Sequence, residues 1–283
     1  MSPGRRRVRC PVIEPLAGRG TLGGMVDPQA RSRARPRRFL LAGATAALIV
    51  VGVGLVASVF LSRTMPAGDP PVVAGRQLWG ACAAGFYARL GDTVVLTSSA
   101  HCAQEGTTAY EPDGRTRRGV FGPAALLEPC PHEGHTCRPS DMNYLVVAPD
   151  RIPWGRLNQV DMGEGGERVI EPGTTPLSCP DIEIGDAVEI NGRDIYRAGT
   201  VAEMGEYLHE PAADGDYFPC IVAAADISVG PGDSGGAVLV RGLPAGATSR
   251  SLGGILGFTP LAEGLDALDL ELCTAPDCGL APP

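Results

Sequence analysis

A serine surrounded by glycines is the first feature of this sequence that points to chemistry. Ser234 lies in the segment Gly-Pro-Gly-Asp-Ser-Gly-Gly at residues 230–236. Covalent hydrolysis of an amide needs an exposed hydroxyl together with hydrogen-bond donors for the oxyanion that forms. Glycines beside the serine allow a tight backbone turn that directs successive N–H groups into one cavity. Taken alone, the segment could equally be a plain glycine-rich turn.

A histidine at the end of an apolar segment is the second feature. Residues 94–102 are Val-Val-Leu-Thr-Ser-Ser-Ala-His-Cys, which predicts a β-strand that delivers His101 beside Cys102. An imidazole near a serine hydroxyl can act first as a general base and then as a general acid. The two segments together indicate nucleophilic catalysis by Ser234, with His101 as its base.

These motifs and their order resemble the chymotrypsin-like serine proteases, particularly the bacterial streptogrisin and alpha-lytic protease branch. Residues 82–90 and 96–102 are similar to that branch's cysteine, short hairpin and Thr-Ala-x-His-Cys arrangement. Residues 185–201 resemble the opening of its second barrel, and residues 231–236 its nucleophile loop. The resemblance covers about residues 76–272. It implies an all-β, chymotrypsin-like double six-stranded β-barrel with a C-terminal helix.

The resemblance assigns catalytic roles residue by residue. It makes His101 the general base and acid and Ser234 the nucleophile, with the backbone N–H groups of Gly232 and Ser234 as the oxyanion hole. A third residue must orient the imidazole. Asp141 is expected to do so, since it lies 40 residues after His101 and directly precedes an apolar strand. Asp150 is the second choice.

Asp233 is expected to be a structural acid. In the family this aspartate is salt-bridged inside the domain and holds the oxyanion loop in shape. Its partner is a newly cut N-terminus in digestive relatives and an internal arginine in the bacterial branch. A tethered chain favours the arginine, although Val-Val-Ala-Gly at residues 72–75 resembles a processed start.

The specificity pocket has four candidate residues, namely Asp226, Ser228, Gly257 and Thr259. Aligned on digestive relatives, Ser228 forms the pocket base and predicts a neutral residue before the scissile bond. Aligned on the bacterial branch, the base shifts toward Asp226, which would prefer arginine or lysine. Both alignments stay open here. The family also has a loop and another strand before its final helix, whereas residues 254–258 lead almost directly into the helix. One pocket wall is therefore expected to be truncated or merged.

Eight cysteines follow residue 62, and an even set in an oxidising compartment indicates disulfides. The order of the cysteines suggests that they pair sequentially. The resemblance implies that the first pair, Cys82–Cys102, braces the loop that carries His101. The expected pairs are Cys82–Cys102, Cys130–Cys137, Cys179–Cys220 and Cys273–Cys278. His132 and His135 lie between the second pair and could complete a zinc site, but oxidation of both cysteines favours the disulfide.

Short apolar segments separated by glycine and proline turns favour a sandwich or barrel over a β-α-β sheet. The predicted strands are residues 83–89, 93–97, 144–148, 187–190, 199–204, 218–223, 237–240 and 253–258. The resemblance implies that they belong to two barrels, at about residues 76–150 and 165–260. Leucines at helical spacing then predict a closing helix over residues 260–272, with proline in its first turn.

The N-terminal part differs from the rest in charge and hydropathy. Residues 1–38 carry ten arginines and two acidic residues, a net charge of +8, whereas residues 62–283 carry 14 arginines and 30 acidic residues, a net charge of −16. Residues 39–61 are uncharged, and an apolar helix of about 20 residues can cross a bilayer. The preceding arginines predict a transmembrane signal-anchor with a cytoplasmic N-terminus. A linker, residues 62–75, then leads to an extracytoplasmic domain, residues 76–283.

Two alternatives stay open for this N-terminal part. A long cleaved signal peptide, of twin-arginine type around Arg37 and Arg38 and with Ala67 near the cleavage site, would make the protein secreted. Met25 is an alternative start, which would shorten the basic tail and remove Cys10.

These features predict a serine endopeptidase that forms an acyl-enzyme on Ser234. No cofactor or metal is implied, since acyl transfer by this triad needs none. The expected partners are a peptide or protein substrate and the membrane, and the acidic body argues against nucleic acid. The sequence makes no prediction of oligomeric state. One alternative is a catalytically weak homologue that acts as a binding module, favoured by the truncated wall and by Asn143, where the family has a small residue. Another is an esterase with the same triad.

Overall fold

Strand-length apolar segments alternate with glycine and proline turns in the part of the chain that the computed structural model describes, residues 71–79, 82–111, 113–192, 195–208 and 215–282. Within these ranges the strands are β1 (Gln77–Trp79), β2 (Cys82–Ala83), β3 (Tyr87–Leu90), β4 (Thr93–Ser98), β5 (Thr108–Tyr110), β6 (Arg117–Phe121), β7 (Thr136–Cys137), β8 (Asn143–Val147), β9 (Gln159–Asp161), β10 (Glu167–Val169), β11 (Ala187–Gly192), β12 (Ile195–Leu208), β13 (Asp216–Ala225), β14 (Ala237–Val240), β15 (Leu243–Leu252), β16 (Ile255–Pro260) and β17 (Glu271–Leu272), and the α-helix is α1 (Leu261–Ala267).

The first sheet carries the histidine segment. Its strands lie in the order β17-β3-β4-β8-β6-β5, and each neighbouring pair is antiparallel. β4 is buried from Val94 to Ser98 because it lies between β3 and β8. The prediction of a strand at residues 93–97 is confirmed to within one residue.

The second sheet closes on itself. Its order is β12-β11-β14-β15-β16-β13-β7, and β12 also pairs with β13, so that six of these strands form a ring. β7 adds to β13 in parallel register. Val188, Ile190, Val222, Val238 and Phe258 are buried together in the apolar core of this unit. A closed ring leaves none of its six strands with a free edge.

The segment at residues 243–252 was not predicted as a strand, yet it forms β15 and pairs with β14 and β16. The segment contains Pro244, Gly246 and several small residues, so its sequence lacks the pattern typical of a strand. Pairing with β14 and β16 nevertheless provides partners for its backbone hydrogen-bonding groups. Gly253 and Gly254, with φ of +61° and +98°, then make a two-residue turn into β16. β16 then leads directly into α1, as the sequence indicated, and the unpredicted strand β15 lies before β16 rather than between β16 and the helix.

The predicted closing helix ends earlier than expected. Helix α1 stops at Ala267, and Asp269 has a φ of +53°, which a right-handed helix does not accommodate. Glu271 and Leu272, predicted as the last helical turn, instead form β17 and pair with β3. The helix prediction over residues 260–272 is therefore wrong in its second half, because pairing with a distant strand overrides the leucine spacing.

The end of the predicted linker is packed against the folded domain. Val72 and Ala74 are buried. The N–H of Val72 donates to the carbonyl of Arg151 at 3.1 Å, and the N–H of Asp161 donates to the carbonyl of Ala74 at 3.0 Å. The folded part of the chain thus includes residues that the composition assigned to the linker.

The basic tail, residues 1–38, and the predicted signal-anchor, residues 39–61, lie outside the described residues. In the ranges that are described, no helix has the length and apolar character needed to cross a bilayer. The membrane anchor therefore stays a prediction.

Candidate active site

A short 3₁₀ turn, Ala100–Cys102, follows β4 and carries His101. The disulfide between Cys82 and Cys102 ties this turn to β2. On another side, Ser99 Oγ donates to the carbonyl oxygen of Thr248 in β15 at 2.7 Å. The His101 side chain nevertheless keeps 42% of its surface exposed. The backbone of the turn is thus held in place while the imidazole stays accessible.

Asp141 holds the imidazole of His101. Its Oδ2 accepts a hydrogen bond from His101 Nδ1 at 2.7 Å, and its Oδ1 accepts one from the His101 backbone N–H at 3.3 Å. Antiparallel pairing of Ser98 with Asn143 places the start of β8 beside the end of β4, which brings the two residues together. Asp150, the second candidate, is instead exposed in the 3₁₀ turn Pro149–Arg151.

Two hydroxyl groups complete the surroundings of Asp141, which is 1% exposed. Ser249 Oγ donates to Asp141 Oδ2 at 2.6 Å. Thr259 Oγ1 accepts the Asp141 backbone N–H at 3.0 Å and the Ser140 hydroxyl at 3.0 Å. A buried carboxylate needs such partners because an unpaired buried charge is costly. Ser249 was not predicted as a site residue, because β15, the strand that carries it, was not recognised in the sequence.

Burial and hydrogen bonding shift the pKa values of Asp141 and His101 in opposite directions. Burial raises the pKa of Asp141, but the hydrogen bonds from His101 and Ser249 outweigh it, so the pKa lies below its ordinary value. For His101, burial lowers the pKa, but the hydrogen bond and the charge of Asp141 outweigh it and raise the pKa above 6.5. Because Nδ1 donates to the carboxylate of Asp141, Nε2 is the nitrogen that can accept a further proton.

Asn143, the departure from the family pattern, supports the histidine turn. Its side chain is buried, and Nδ2 donates to the carbonyl oxygen of Ala103 at 3.0 Å. Ala103 directly follows the turn that carries His101. The larger side chain at this position thus makes a contact that restrains the turn.

The glycine-rich segment lies against the histidine turn. Ser234 and Cys82 form an isolated parallel β-bridge, and the N–H of Ala83 donates to the carbonyl oxygen of Ser234 at 2.7 Å. The Sγ of Cys102 lies 3.9 Å from the same oxygen. Ser234 and His101 therefore sit on neighbouring loops. Among the described residues the Ser234 hydroxyl forms no hydrogen bond with the imidazole, and such bonds are often long in unliganded sites.

Gly235 makes the close approach of these loops possible. It has a φ of +85°, and a Cβ at this position would lie 2.4 Å from Ser98 Oγ and 2.5 Å from the carbonyl oxygen of Ala83. Both the backbone conformation and the lack of space exclude a side chain. The glycine next to Ser234 is therefore needed to bring the two sheets together at this point.

The backbone at residues 230–236 folds back on itself. The N–H of Asp233 donates to the carbonyl of Gly230 at 3.1 Å, and the N–H of Gly236 donates to the carbonyl of Asp233 at 3.0 Å. Gly232 has a φ of +101°. The N–H groups of Gly232 and Ser234 both belong to this turn. Two such groups beside a serine hydroxyl can stabilise an oxyanion.

Asp233 is buried and forms an ion pair with an internal arginine. Its Oδ2 lies 3.3 Å from Nη1 of Arg197 in β12 and accepts the N–H of Gly230 at 2.8 Å. Gly192 leaves room for the carboxylate, since a Cβ there would lie 2.5 Å from Asp233 Oδ1. The prediction of an internal arginine as the partner of Asp233 is confirmed.

An open cavity of about 230 Å³ adjoins Ser234. Residues 229–231 line one part of it and residues 248–251, from β15, line another. Arg250 is the charged side chain among these lining residues.

The four pocket candidates lie outside this lining. Asp226 and Ser228 are exposed in the segment after β13, and Asp226 has a φ of +64°. Gly257 and Thr259 are buried in β16, where the Thr259 hydroxyl contacts Asp141 rather than the cavity. The base of the specificity pocket therefore stays a prediction, and β15, which was not recognised in the sequence, supplies one wall of the observed cavity.

The four expected cysteine pairs are all disulfide-bonded in the structure. The sulfurs of Cys130 and Cys137 are therefore not available as metal ligands beside His132 and His135. The ring of His132 instead packs on Tyr217, with 4.1 Å between centroids. In the described ranges, no cluster of three or more histidine, cysteine or acidic side chains is arranged for a metal ion.

The sequence matches no protein-family model and no curated protein. Several solved structures have a similar fold. Chymotrypsin from Cellulomonas bogoriensis has a TM-score of 0.54 and 20% identity, over 72% of this chain and 100% of that one. Protease A from Thermobifida fusca has a TM-score of 0.52 and 21% identity, over 71% and 98%. The alpha-lytic protease homologue N4 has a TM-score of 0.52 and 17% identity, over 71% and 98%.

These neighbours are of the bacterial kind that the sequence motifs resemble, so the resemblance is confirmed at the level of the fold. One is named a chymotrypsin, one a protease and one an alpha-lytic protease homologue. The chain has the mostly-β, chymotrypsin-like fold of bacterial serine proteases, with one C-terminal helix.

Proposed function

We propose that the protein is a serine endopeptidase with Ser234 as nucleophile, His101 as general base and Asp141 as the residue that orients it. The observation that carries the proposal is the 2.7 Å hydrogen bond between His101 Nδ1 and Asp141 Oδ2, on a turn that adjoins the Ser234 loop. The fold shared with bacterial serine proteases supports a peptide or protein substrate.

In this mechanism His101 Nε2 takes the hydroxyl proton of Ser234 while the oxygen attacks the carbonyl carbon of the substrate. The N–H groups of Gly232 and Ser234 stabilise the oxyanion of the tetrahedral intermediate. His101 then protonates the leaving amine as the C–N bond breaks, which leaves an acyl group on Ser234. In the second half of the reaction, His101 takes a proton from water while the water oxygen attacks the acyl carbon. His101 then returns the proton to the oxygen of Ser234 as the ester bond breaks, which releases the carboxylic acid. Asp141 stays ionised throughout and stabilises the protonated imidazole.

Covalent labelling with an alkyl fluorophosphonate tests this proposal, because the reagent reacts with an activated serine. We expect the oxidised wild-type protein to be labelled and Ser234→Ala to be unlabelled. Ser228→Ala is the matched control, since Ser228 is an exposed serine in the same loop region and should not affect labelling. If correctly oxidised wild-type protein is not labelled, the result would contradict the proposed enzymatic activity and favour a binding module.

A comparison of peptide and ester substrates separates an endopeptidase from an esterase with the same triad. An endopeptidase cleaves internal bonds of unmodified peptides, and the new termini can be identified by mass spectrometry. If the protein hydrolyses simple esters but cleaves no peptide in a diverse library, the assignment as an esterase would replace the assignment as an endopeptidase.

We also propose that the domain is extracytoplasmic and tethered by residues 39–61. Support comes from the four disulfides, which persist in oxidising compartments, and from the arginines that precede the apolar segment. An anchored protein should remain with membranes after an alkaline carbonate wash, and a chain without residues 1–61 should be soluble. Accumulation of a shortened chain in the medium would instead show a cleaved signal peptide.

A further inference from the structure

The cavity beside Ser234 contains a positive charge that the sequence did not lead us to expect there. Arg250 follows Ser249 in β15 and lines the cavity together with Ser234. The other lining residues are valine, glycine, proline, serine and threonine, which are uncharged. Asp226, the residue that would have made the pocket negative, is exposed and lies outside the lining. The charge of the cavity is therefore opposite to that predicted by one of the two alignments.

Aromatic rings hold the guanidinium of Arg250. Its Cζ lies 4.8 Å from the ring centroid of Tyr207 and 4.6 Å from that of Phe218. Its Nε lies 3.4 Å from the Ser249 hydroxyl, which itself donates to Asp141. Stacking of this kind orients the guanidinium plane while its N–H groups remain able to donate.

Arg250 forms no ion pair among the described residues, which is unusual in so acidic a domain, although its charge also acts on the buried carboxylate of Asp141 and helps to lower its pKa. Most arginines of these ranges are ion-paired, including the part-buried Arg118, Arg138 and Arg168. Arg115 and Arg117 also form no ion pair there, but they are exposed on the β5–β6 hairpin. Arg250 is partly buried. A partly desolvated, oriented guanidinium beside a cavity is a binding group for a carboxylate, because its hydrogen bonds to an anion are strong and directional.

We propose that Arg250 binds a carboxylate of the substrate, so that the protein prefers peptides with an aspartate or glutamate close to the scissile bond. The cavity has room for such a side chain, since it measures about 230 Å³ and a water molecule occupies about 30 Å³. The inference rests on the proposed protease function and adds its substrate class.

Paired peptide substrates that differ only in glutamate or glutamine at one position test the inference. Moving the pair through the positions on both sides of the scissile bond locates the carboxylate that Arg250 binds. At one position we expect kcat/KM to favour glutamate by about tenfold or more, the effect of one charge-assisted hydrogen bond. Arg250→Gln should abolish this preference, whereas Arg117→Gln, at an exposed arginine in β6, should retain it.

Two results would overturn the inference. One is an active wild-type enzyme without a preference for glutamate at any position, which would leave the protease function intact. The other is a preference that survives in Arg250→Gln. If Arg250→Gln does not fold, the glutamate and glutamine peptides are compared in Arg250→Lys and in the wild-type protein at raised salt. Arg250→Lys keeps the charge but loses the planar fork.

A binding measurement keeps the inference testable if no peptide is turned over. Calorimetry with Ser234→Ala measures the affinity for the same glutamate and glutamine peptides without cleavage. Tighter binding of the glutamate peptide, lost in the double variant with Arg250→Gln, supports the role of Arg250. Equal affinity for the two peptides would contradict it, whatever the outcome of fluorophosphonate labelling.

Discussion

The two sheets contribute different chemistry to the candidate site. The first sheet supplies the ionisable pair, His101 and Asp141, whereas the second supplies Ser234, two backbone donors and the cavity. The division is not complete, because Ser249 of the second sheet donates to the carboxylate of Asp141 at 2.6 Å. The charge on the first sheet is therefore stabilised from the second, so neither sheet could assemble the site alone.

The sheets also differ in how their edges are covered. The second sheet closes because β12 pairs with both β11 and β13. In the first sheet the outer side of β3 is covered by β17, which comes from the C-terminal end of the described chain. The histidine sheet thus depends on a distant segment, while the serine sheet is completed by strands that lie close together in sequence.

The strongest test of this division removes the base on the first sheet. We expect His101→Ala to lower kcat by about 10⁶-fold, because without the imidazole nothing takes the hydroxyl proton of Ser234. The peptide-hydrolysis assay measures this, and His135→Ala is the control, since it removes a histidine from the Cys130–Cys137 loop. Turnover in His101→Ala within tenfold of the wild-type value would show that the two sheets do not act together.

The next effect concerns the carboxylate that orients the base. Asp141→Asn should lower kcat by about 10⁴-fold, because the amide no longer fixes the imidazole with its proton on Nδ1. The wild-type kcat/KM should fall as the pH drops through the His101 pKa, which lies above 6.5. Since Asp141 raises that pKa, this acid limb should move to lower pH in the variant.

Asp150→Asn is the matched control for this experiment, because Asp150 is the other candidate from the sequence and is exposed. It should leave both the rate and the pH profile unchanged. A larger loss in Asp150→Asn than in Asp141→Asn would reassign the orienting residue.

A smaller effect is expected from the ion pair inside the second sheet. Arg197→Ala removes the ion pair from the buried carboxylate of Asp233 and should lower the free energy of unfolding by about 3–5 kcal/mol. Urea denaturation measures the change. Arg156→Ala removes an exposed ion pair with Glu167 and should cost about 1 kcal/mol or less. Equal costs for the two substitutions would contradict an internal structural role for Arg197.

The smallest effect concerns the contact between the sheets. Ser249→Ala removes one hydrogen bond to the ionised Asp141, so kcat/KM should fall by about tenfold, from a loss near 1.5 kcal/mol. Steady-state kinetics measure this. Ser228→Ala, at an exposed serine outside the cavity lining, should have no comparable effect. A loss as large as that of Asp141→Asn would mean that Ser249 takes part in the chemistry directly.

Local sequence features indicated part of the candidate site. His101 follows a continuous apolar strand, and Ser234 lies in a run of glycines, so both stand out without knowledge of the fold. Asp141 could be proposed from its position before a strand, and its hydrogen bond to His101 is present in the structure. Ser249 and Arg250 could not be found in this way, because β15 consists of small and polar residues whose burial comes from its two neighbouring strands.

The sequence by itself determined which residues have reactive side chains, where the glycine-rich turn occurs and how the cysteines are spaced, since these depend on residue type and short separations. Only the tertiary structure decided the partner of Asp233, the hydroxyl that supports Asp141 and the residues that line the cavity. Each of these contacts joins segments that are distant along the chain, and each depends on the register between strands. Strand register results from the packing of the whole sheet and leaves no local mark in the sequence.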